Sequence, residues 1–389
     1  MINERTEFAL RSLQPGINFS ELCREYGISR RIGYKWQKRF AAEGAAGMAD
    51  RSRKPHSNGQ ELGEDVICEI ARLREAHKKW GPKKIRELYA RQFGKAPSES
   101  TFKRIFEKAG WVEKRKRRRS TEAGRICSGL AAKEPNDVWT VDFKGWWHTR
   151  NGERCEPLTV RDEWSRYVLE VRSMATAKTE AVQAVFERLF EQYGLPKAIR
   201  SDNGPPFAAR AAVLGLSRLS AWWAALGIDL ERGRPGKPQD NGAHERMHRD
   251  IRNELQQCAS EDLERQQAAF DIWRKTFNEE RPHEALGMRT PAELYRPSPR
   301  PFTGAPSNLA YEGMDSRMVL ATGEISLDCN RIPLTRALSG WSVGLKHREA
   351  DLYDVYFANL RIGEINRATA SFAGAAAPAK EVPSATKTL

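Results

Sequence analysis

The stretch that decides the fold reads Val138-Trp139-Thr140-Val141-Asp142-Phe143. Polar residues interrupt its apolar residues at Thr140 and Asp142, an alternation that is typical of a β-strand with one buried face. Strand-like and helical periods follow it through residue 280. The predicted strands are Leu158–Val160, Tyr167–Val171, Ala198–Arg200 and Ile228–Leu230, and the predicted helices span residues 178–193, 207–226, 240–258 and 261–280. Three strands followed by alternating helices and strands predict a mixed α/β sheet with flanking helices.

The excess positive charge lies in the first third of the chain. The 389 residues carry 65 Lys and Arg against 51 Asp and Glu, a net charge of +14. Residues 1–136 hold 31 of these cations and 17 of the acids, whereas residues 137–389 hold 34 of each. A basic segment beside a neutral one predicts a nucleic-acid-binding arm on a body with another task. Its densest part predicts a linker that lies along phosphates. That part consists of Lys114, Arg115, Lys116, Arg117, Arg118 and Arg119.

Residues 18–40 have the pattern of a helix-turn-helix. Ser20 is predicted to cap a short first helix, and Gly27 is predicted to form the turn, because glycine adopts a left-handed backbone cheaply. Ser29 is predicted to cap a second helix, although Gly33 inside that helix costs about 1 kcal/mol relative to alanine. The predicted apolar face of this helix is Ile32, Trp36 and Phe40, and its predicted DNA contacts are Arg30, Arg31, Tyr34 and Lys35.

Residues 64–112 predict a second module of three helices, similar to a helix-turn-helix. The first helix carries Val66, Ile67, Ile70 and Leu73. The second opens at Pro82, the third is capped by Ser98 or Ser100, and the run ends at Gly110. The predicted phosphate contacts of this module are Lys83, Lys84, Lys103 and Arg104.

The C-terminal third has a different composition. Six prolines in residues 281–310 predict an extended connector, and short β-rich runs in residues 317–367 predict a small β-barrel. The predicted domains are a helix-turn-helix domain (1–56), a second helix-turn-helix-like domain (57–113), a basic linker (114–136), an α/β core (137–290), a Pro-rich connector (291–315), a small β-barrel (316–368) and a disordered tail (369–389).

The composition limits the classes of protein to which the chain can belong. With 40% hydrophobic and 30% charged residues, it is predicted to fold as a globular protein. No stretch approaches the ~18 apolar residues of a membrane span, and no signal-peptide pattern begins the chain. Its six cysteines are scattered and form no C-x-x-C pair, so a cysteine-based zinc site and a disulfide framework are not expected. A reducing cytoplasm is the expected compartment.

Three acidic residues stand at the ends of predicted elements. Asp142 lies near the end of the first strand, Asp202 directly follows the strand Ala198–Arg200, and Glu245 lies early in the helix at 240–258. Three ionised carboxylates cannot converge without a cation. Mg²⁺ takes oxygen ligands, and two such ions can bind the attacking and leaving oxygens of a phosphoryl displacement. The pattern therefore predicts metal-dependent phosphoryl transfer.

Three motifs carry a family resemblance: Trp139–Asp142, Ser201–Gly204 and Arg234–Arg246. They resemble the acidic motifs of bacterial insertion-sequence transposases of the DDE class, whose catalytic core is like that of retroviral integrases. The stretch Leu338–Leu345 is similar to the tail of one such group. The resemblance implies an RNase H-like core with Asp142, Asp202 and Glu245 as catalytic residues and as ligands of two Mg²⁺ or Mn²⁺ ions. It also implies binding of terminal inverted repeats, cleavage at the element ends, joining of the 3′-OH to target DNA, and a homo-oligomer on DNA associated with the bacterial nucleoid.

Cations near the glutamate are further candidates for DNA contact. His248, Arg249 and Arg252 follow Glu245 at the spacings that share one helical face. Lys237 in the preceding glycine- and proline-rich stretch is a candidate for positioning phosphate.

Three other functions compete with this interpretation. His244-Glu245-Arg246-Met247-His248 matches the H-E-x-x-H helix of zinc metalloproteases, with His283 or a nearby acid as a third ligand. That reading leaves both aspartates and the basic arm without a role. A nuclease with the same core would cut DNA without joining it. A regulator that only binds DNA would use residues 1–136 alone.

Overall fold

The chain forms two compact units in this computed structural model. The first unit is Met1–Glu64 and the second is Asp65–Leu389. The structure describes residues 2–52, 62–112, 131–209, 212–233 and 242–375. Within these residues, no helix is both long enough and apolar enough to cross a lipid bilayer.

The first unit consists of three helices and a short terminal 3₁₀ turn. The helices are α1 (Ile2–Ser12), α2 (Phe19–Glu25) and α3 (Arg30–Glu43). The Ser29 side chain caps α3 as predicted, by accepting a hydrogen bond from the backbone N–H of Ile32. The Ser20 prediction is wrong, because Asn18 precedes it in an extended conformation and accepts the N–H groups of Ser20 and Glu21.

Gly33 lies where α3 crosses the core of the first unit. The core contains Phe8, Leu22 and Cys23, and Gly33 is buried against it. A β-carbon at this position would lie 2.8 Å from Cys23 Sγ and 2.9 Å from Phe8 Cζ. The helices therefore approach each other at a point that only glycine fits. Ile32 faces outward instead and is 41% exposed, so its predicted place in the apolar face is wrong.

We expect Gly33→Ala to destabilise the first unit by about 1–3 kcal/mol, as overpacking of a filled core does. Alanine favours helix formation by about 1 kcal/mol over glycine, so helix propensity alone predicts the opposite sign. Urea unfolding of the full chain followed by circular dichroism measures the change. Lys35→Ala, at an exposed position of the same helix, is the control and should be close to neutral. A more stable Gly33→Ala variant would contradict the described packing.

The second unit begins with three further helices. They are α4 (Glu64–Ala76), α5 (Pro82–Phe93) and α6 (Glu99–Lys108). Ser98, not Ser100, caps α6 by accepting the N–H of Thr101. The helices enclose a core of Ile70, Trp80, Ile85, Tyr89, Phe102 and Phe106. The helical module predicted for residues 64–112 is thus present.

A five-stranded mixed sheet forms the centre of the second unit, in the order β5-β4-β1-β6-β7. Strand β1 is antiparallel to β4 and parallel to β6, which confirms the predicted mixed sheet. A small hairpin, β2 with β3, follows β1. The strands are β1 (Val138–Phe143), β2 (Trp147–His148), β3 (Arg154–Cys155), β4 (Leu158–Asp162), β5 (Val168–Arg172), β6 (Ala198–Ser201) and β7 (Asp229–Arg232).

Helices cover both faces of this sheet. They are α7 (Thr179–Tyr193), α8 (Arg218–Ala225), α9 (Gly242–Glu254), α10 (Leu263–Lys275) and α11 (Pro291–Leu294). Trp139 and Val141 of β1 pack with α7 and α8 on one face. Thr140 of β1 faces α9 on the other. Because side chains alternate along a strand, Asp142 lies on the same face as Thr140 and therefore points toward α9.

The helix predicted over residues 207–226 is shorter in the structure. Only α8 is α-helical there, preceded by a 3₁₀ turn at Val213–Gly215. Leu214 and Gly215 both have positive φ angles, of 51° and 66°, which an α-helix does not accommodate. The prediction failed because an apolar composition does not by itself reveal a turn.

The C-terminal part contains antiparallel strands. Five form a sheet in the order β14-β13-β12-β11-β8, and β9 and β10 form a hairpin. They are β8 (Asp315–Met318), β9 (Glu324–Leu327), β10 (Asn330–Pro333), β11 (Ser342–Glu349), β12 (Leu352–Phe357), β13 (Leu360–Asn366) and β14 (Ser371–Gly374). The strand pairings among the described residues give an open sheet, so the β-barrel stays a prediction. The sequence predicts a disordered tail over residues 369–389. Within this segment, Ser371–Gly374 instead form β14, whose backbone pairs with β13.

Candidate active site

The two predicted aspartates occupy equivalent positions on neighbouring parallel strands. Thr140 of β1 is paired with Arg200 of β6. Two residues further along, the chain reaches Asp142 in β1 and Asp202 just beyond β6. Since side chains repeat every second residue, both carboxylates lie on the same face at the same edge of the sheet.

Helix α9 is fastened to this face by two buried histidines. The imidazole of His244 lies 2.9 Å from Thr140 Oγ1 through Nδ1 and 2.6 Å from Thr159 Oγ1 through Nε2. His248 Nε2 lies 2.7 Å from the same Thr159 hydroxyl. Thr159 in turn donates to the carbonyl oxygen of Asp142 at 2.9 Å. One network therefore joins α9, β4 and the backbone of β1.

The donors and acceptors of this network agree with neutral imidazoles. If Thr159 donates its single proton to Asp142, both His244 and His248 must donate their Nε2–H to it. His244 Nδ1 then accepts from Thr140. Burial lowers the pKa of His244 well below its usual value and lowers that of His248 to about 3. His248 Nδ1 lies 3.8 Å from Asp142 Oδ2, but a neutral ring forms no ion pair with it.

Asp142 shows the electrostatic effect of nearby like charges. Its pKa is raised to about 7, first by burial, then by the negative charge of Asp202, with a smaller contribution from Glu245. Asp202 Oδ1 accepts the N–H of Gly204 at 3.2 Å, and the Asn203 side chain donates to the carbonyl of Gly233 at 2.7 Å. The loop after β6 is thereby held beside the end of β7.

The chemistry of these side chains fits a divalent cation. Carboxylate oxygens are the protein ligands that Mg²⁺ prefers, and a cation would relieve the repulsion at Asp142. Among the described residues, no three His, Cys, Asp or Glu side chains already stand close enough together to hold a metal ion. The structure thus brings Asp142, Asp202 and Glu245 to one region without placing them in ligand geometry.

We expect the contribution of Asp142 to the stability of the metal-free protein to fall as the pH rises from about 4 to about 7. The pKa of Asp142 is 3.8 when unperturbed and about 7 in the fold. In this window the Asp142 carboxyl holds more protons in the folded state than in the unfolded state, so its contribution to the free energy of unfolding decreases with pH. The lowered pKa values of His244 and His248 act in the opposite direction. Asp142→Asn removes this contribution. The stability of the variant relative to the wild type should therefore rise between pH 4 and pH 7, and the variant should be more stable than the wild type above pH 7. Thermal unfolding of the wild type and of Asp142→Asn in a chelating buffer measures this difference at each pH. Identical pH profiles of the two proteins would contradict the described surroundings of Asp142.

The basic side chains near Glu245 divide into exposed and buried ones. Glu245, Arg249 and Arg252 are exposed on α9, in agreement with the predicted shared face. His248 is buried, so its predicted DNA contact is wrong: its ring turns inward to Thr159. Lys144 was not identified from the sequence. Burial and the charge of Arg252 lower its pKa, which places these two cations near each other and near Asp142.

The predicted DNA contacts of the helical modules are also placed by the structure. Exposed side chains are found at Arg30, Arg31, Tyr34 and Lys35 on α3 and at Lys103 and Arg104 on α6. Lys83 is exposed but pairs with Glu99 at 3.8 Å and Glu284 at 3.5 Å. Lys84 is half-buried. The predicted contacts outside the described residues are Lys114, Arg115, Lys116, Arg117, Arg118, Arg119 and Lys237.

The histidine geometry does not support the zinc-protease alternative. Both ring nitrogens of His244 lie within hydrogen-bond distance of threonine hydroxyls inside the core. His248 is bonded to one of the same hydroxyls. The H-E-x-x-H match therefore reflects two histidines that anchor a helix, and the glutamate between them faces outward.

Several residues that hold α9 or the segment after α10 in place were not identified from the sequence. Arg281 Nη2 donates to Asp250 Oδ2 of α9 at 2.7 Å. The Asn278 side chain bonds both the N–H and the C=O of Val168 in β5. Thr140 and Thr159 had a detectable signal, because each is a polar residue between two apolar neighbours in its strand. Arg281 and Asn278 had none without the fold.

Family models match most of the described architecture. Two models described as an integrase core domain match residues 132–238 and 226–291. A homeodomain-like domain matches residues 32–106, and a helix-turn-helix domain matches residues 4–56. The integrase-core matches include Asp142, Asp202 and Glu245.

Two curated relatives come from bacterial insertion elements. The chain is 26% identical over 289 residues to the insertion element IS407 uncharacterized 31.7 kDa protein of Burkholderia multivorans, which covers 73% of this chain and 93% of the relative. It is 26% identical over 233 residues to the insertion element IS476 uncharacterized 39.2 kDa protein of Xanthomonas euvesicatoria, covering 59% of this chain and 64% of the relative. A solved structure of the HTLV-2 integrase catalytic core domain with magnesium aligns at a TM-score of 0.34 and 17% identity, covering 43% of this chain and 100% of that one.

Proposed function

Since the chain belongs to the bacterial insertion-sequence transposases with a retroviral-integrase-like core, we propose that it cuts and joins DNA at the ends of a mobile element. In this proposal, the helical modules bind the terminal inverted repeats. The core hydrolyses a phosphodiester at each end and joins the freed 3′-OH to target DNA. The observation that carries the proposal is the placement of Asp142 and Asp202 at equivalent positions of β1 and β6, with Glu245 on the adjoining helix.

Each acidic residue has a defined task in this reaction. Asp142, Asp202 and Glu245 would hold two Mg²⁺ or Mn²⁺ ions, which supply Lewis acidity that activates the attacking hydroxyl and stabilises the leaving oxygen. His244, His248 and Thr159 keep α9 against the sheet, so that Glu245 stays beside the aspartates. Because the attacking group would be metal-activated water or the 3′-OH, no nucleophilic side chain is needed.

Cations around the acidic residues would position the DNA. Arg249 and Arg252 are exposed on the α9 face that carries Glu245, and Lys144 lies near Arg252. Phosphate contacts by such side chains fix the register of the DNA without reading its sequence. We assign base recognition to α3, and the exposure of Arg30, Arg31, Tyr34 and Lys35 in its first turns supports this assignment.

The partners and compartment follow from the reaction. Both element ends must be held together while they are joined to the target, so we propose a homo-oligomer on double-stranded DNA. Two curated relatives come from bacterial insertion elements, which supports a reaction on chromosomal DNA in the cytoplasm.

A joining assay tests the proposal against a simple nuclease. The full chain is incubated with Mg²⁺, a supercoiled plasmid and linear DNA that ends in the inverted repeats flanking its coding region. Covalent joining of the linear 3′ ends to the plasmid, with a target duplication of constant length at sequenced junctions, is expected. Nicked or cut DNA without joined products would show a nuclease instead.

A further inference from the structure

A cavity lined by several charged side chains lies at the N-terminal end of α9, and none of the three acidic candidates lines it. Its volume is about 340 Å³. Its walls come from α5, β4, α9 and the segment after α10, so it lies where the second helical module meets the core. Five cations line it, against two acids, Asp250 and Glu284. The cations are Lys84, Arg161, Arg166, Arg246 and Arg281.

Nearby carboxylates neutralise only part of this charge. Arg161 and Arg166 both pair with Glu163, and Arg281 forms ion pairs with Asp250 at 2.7 Å and, through Nη1, with Glu254 at 3.7 Å. Glu284 pairs with Lys83, which does not line the cavity. Among the described residues, no ion pair is formed by Lys84 or Arg246, so the cavity keeps an excess of positive charge.

Buried donors in the cavity wall lack acceptors. Arg281 is 5% exposed, and its Nε and Nη1 atoms have no hydrogen-bond partner among the described residues. Since buried guanidinium N–H groups are normally hydrogen-bonded, this side chain is short of acceptors. Burial and the charge of Arg281 together lower the pKa of Lys84 to about 8. A negatively charged group with several acceptor oxygens would satisfy both side chains.

We propose that this cavity binds a backbone phosphate of DNA, held by Lys84, Arg246 and Arg281. The proposal rests on the proposed function only in taking DNA as the source of the phosphate. The helix dipole of α9 adds to the attraction, because Gly242 and Ala243 at its N-terminus line the same cavity. A phosphate bound here contacts both α5 of the helical module and the helix that carries Glu245, and it thereby couples DNA binding to the active site.

The salt dependence of DNA binding tests this site. Binding of the full chain to a fluorescent duplex is measured over a range of salt concentrations without divalent metal. Lys84→Met should weaken binding and reduce the slope of log K against log salt by about 1, as expected for one lost phosphate contact. Lys95→Met, an exposed lysine just beyond α5, is the control and should leave the slope unchanged. An unchanged slope for Lys84→Met, or the same change for Lys95→Met, overturns the proposal.

Chemical labelling gives a second readout that needs no variant. Lys84 should be acetylated readily near pH 8, since more of its amine is uncharged there than that of an ordinary lysine. Bound DNA should protect Lys84 more than Lys95, and equal protection overturns the proposal. Neither experiment requires cleavage or joining. A chain that binds DNA through Lys84 but never joins ends would refute the proposed function and leave this inference standing.

Discussion

Asp202→Asn is expected to reduce metal-dependent cleavage and joining of DNA by more than about 100-fold, because even residues that only support metal ligands cost up to that factor. Asparagine keeps the size of the side chain but removes the negative charge and one strong oxygen donor. Asp202 follows β6 at the position that matches Asp142 in β1. The substitution would therefore remove one of the two carboxylates proposed to bind the metal ions together.

DNA binding by Asp202→Asn should stay close to wild type. The exposed cations of α3 and α6 lie elsewhere in the chain, and the loss of one negative charge does not remove a phosphate contact. Asp229→Asn is the matched control, because Asp229 is exposed at the start of β7, at the opposite end of the sheet. Activity and binding are measured with the same DNA. A fully active Asp202→Asn protein would contradict the assignment of this residue.

His244→Ala is expected to lower the free energy of unfolding of the second unit by about 2–4 kcal/mol, as loss of a buried hydrogen-bonded side chain does. His244 is fully buried and bridges Thr140 of β1 and Thr159 of β4. Alanine leaves both hydroxyls without this partner and opens a cavity beneath α9. Urea unfolding measures the change, with His148→Ala, at an exposed histidine, as the control.

A double-mutant cycle separates the hydrogen bond from the cavity. Thr140→Val removes the hydroxyl that His244 Nδ1 faces while keeping the shape of the side chain. If the bond exists, the two single changes should not be additive in the double variant. Additive effects would show that His244 is not coupled to the Thr140 hydroxyl. The protease alternative predicts instead that His244→Ala removes a stoichiometric zinc ion from the purified protein.

Local patterns predicted the parts of the site that depend on local structure. The alternation in β1 and the short strand β6 placed Asp142 and Asp202 at strand ends, and the charge distribution identified the exposed cations of α3. The pairing of β1 with β6, which brings the aspartates together, was only an assumption in the sequence. Strand order depends on long-range packing, which a single sequence does not display.

Other features depend on tertiary contacts that the sequence could not reveal. Helical spacing placed His248 on the face of Glu245, but the position of Thr159 turns its ring into the core. Gly33 appeared unfavourable in a helix until the neighbouring Phe8 and Cys23 showed why no side chain fits there. Arg281 pairs with an aspartate 31 residues away, and only the fold brings them together.

The most direct test of the account is a structure of the DNA-bound protein with Mn²⁺, in which anomalous scattering locates the metal. The account predicts Mn²⁺ at the edge of the central sheet, with oxygens of Asp142 and Asp202 as shared ligands and the carboxylate of Glu245 also coordinated. Well-ordered DNA with no metal between the two aspartates, or with Glu245 turned away from it, would contradict the account.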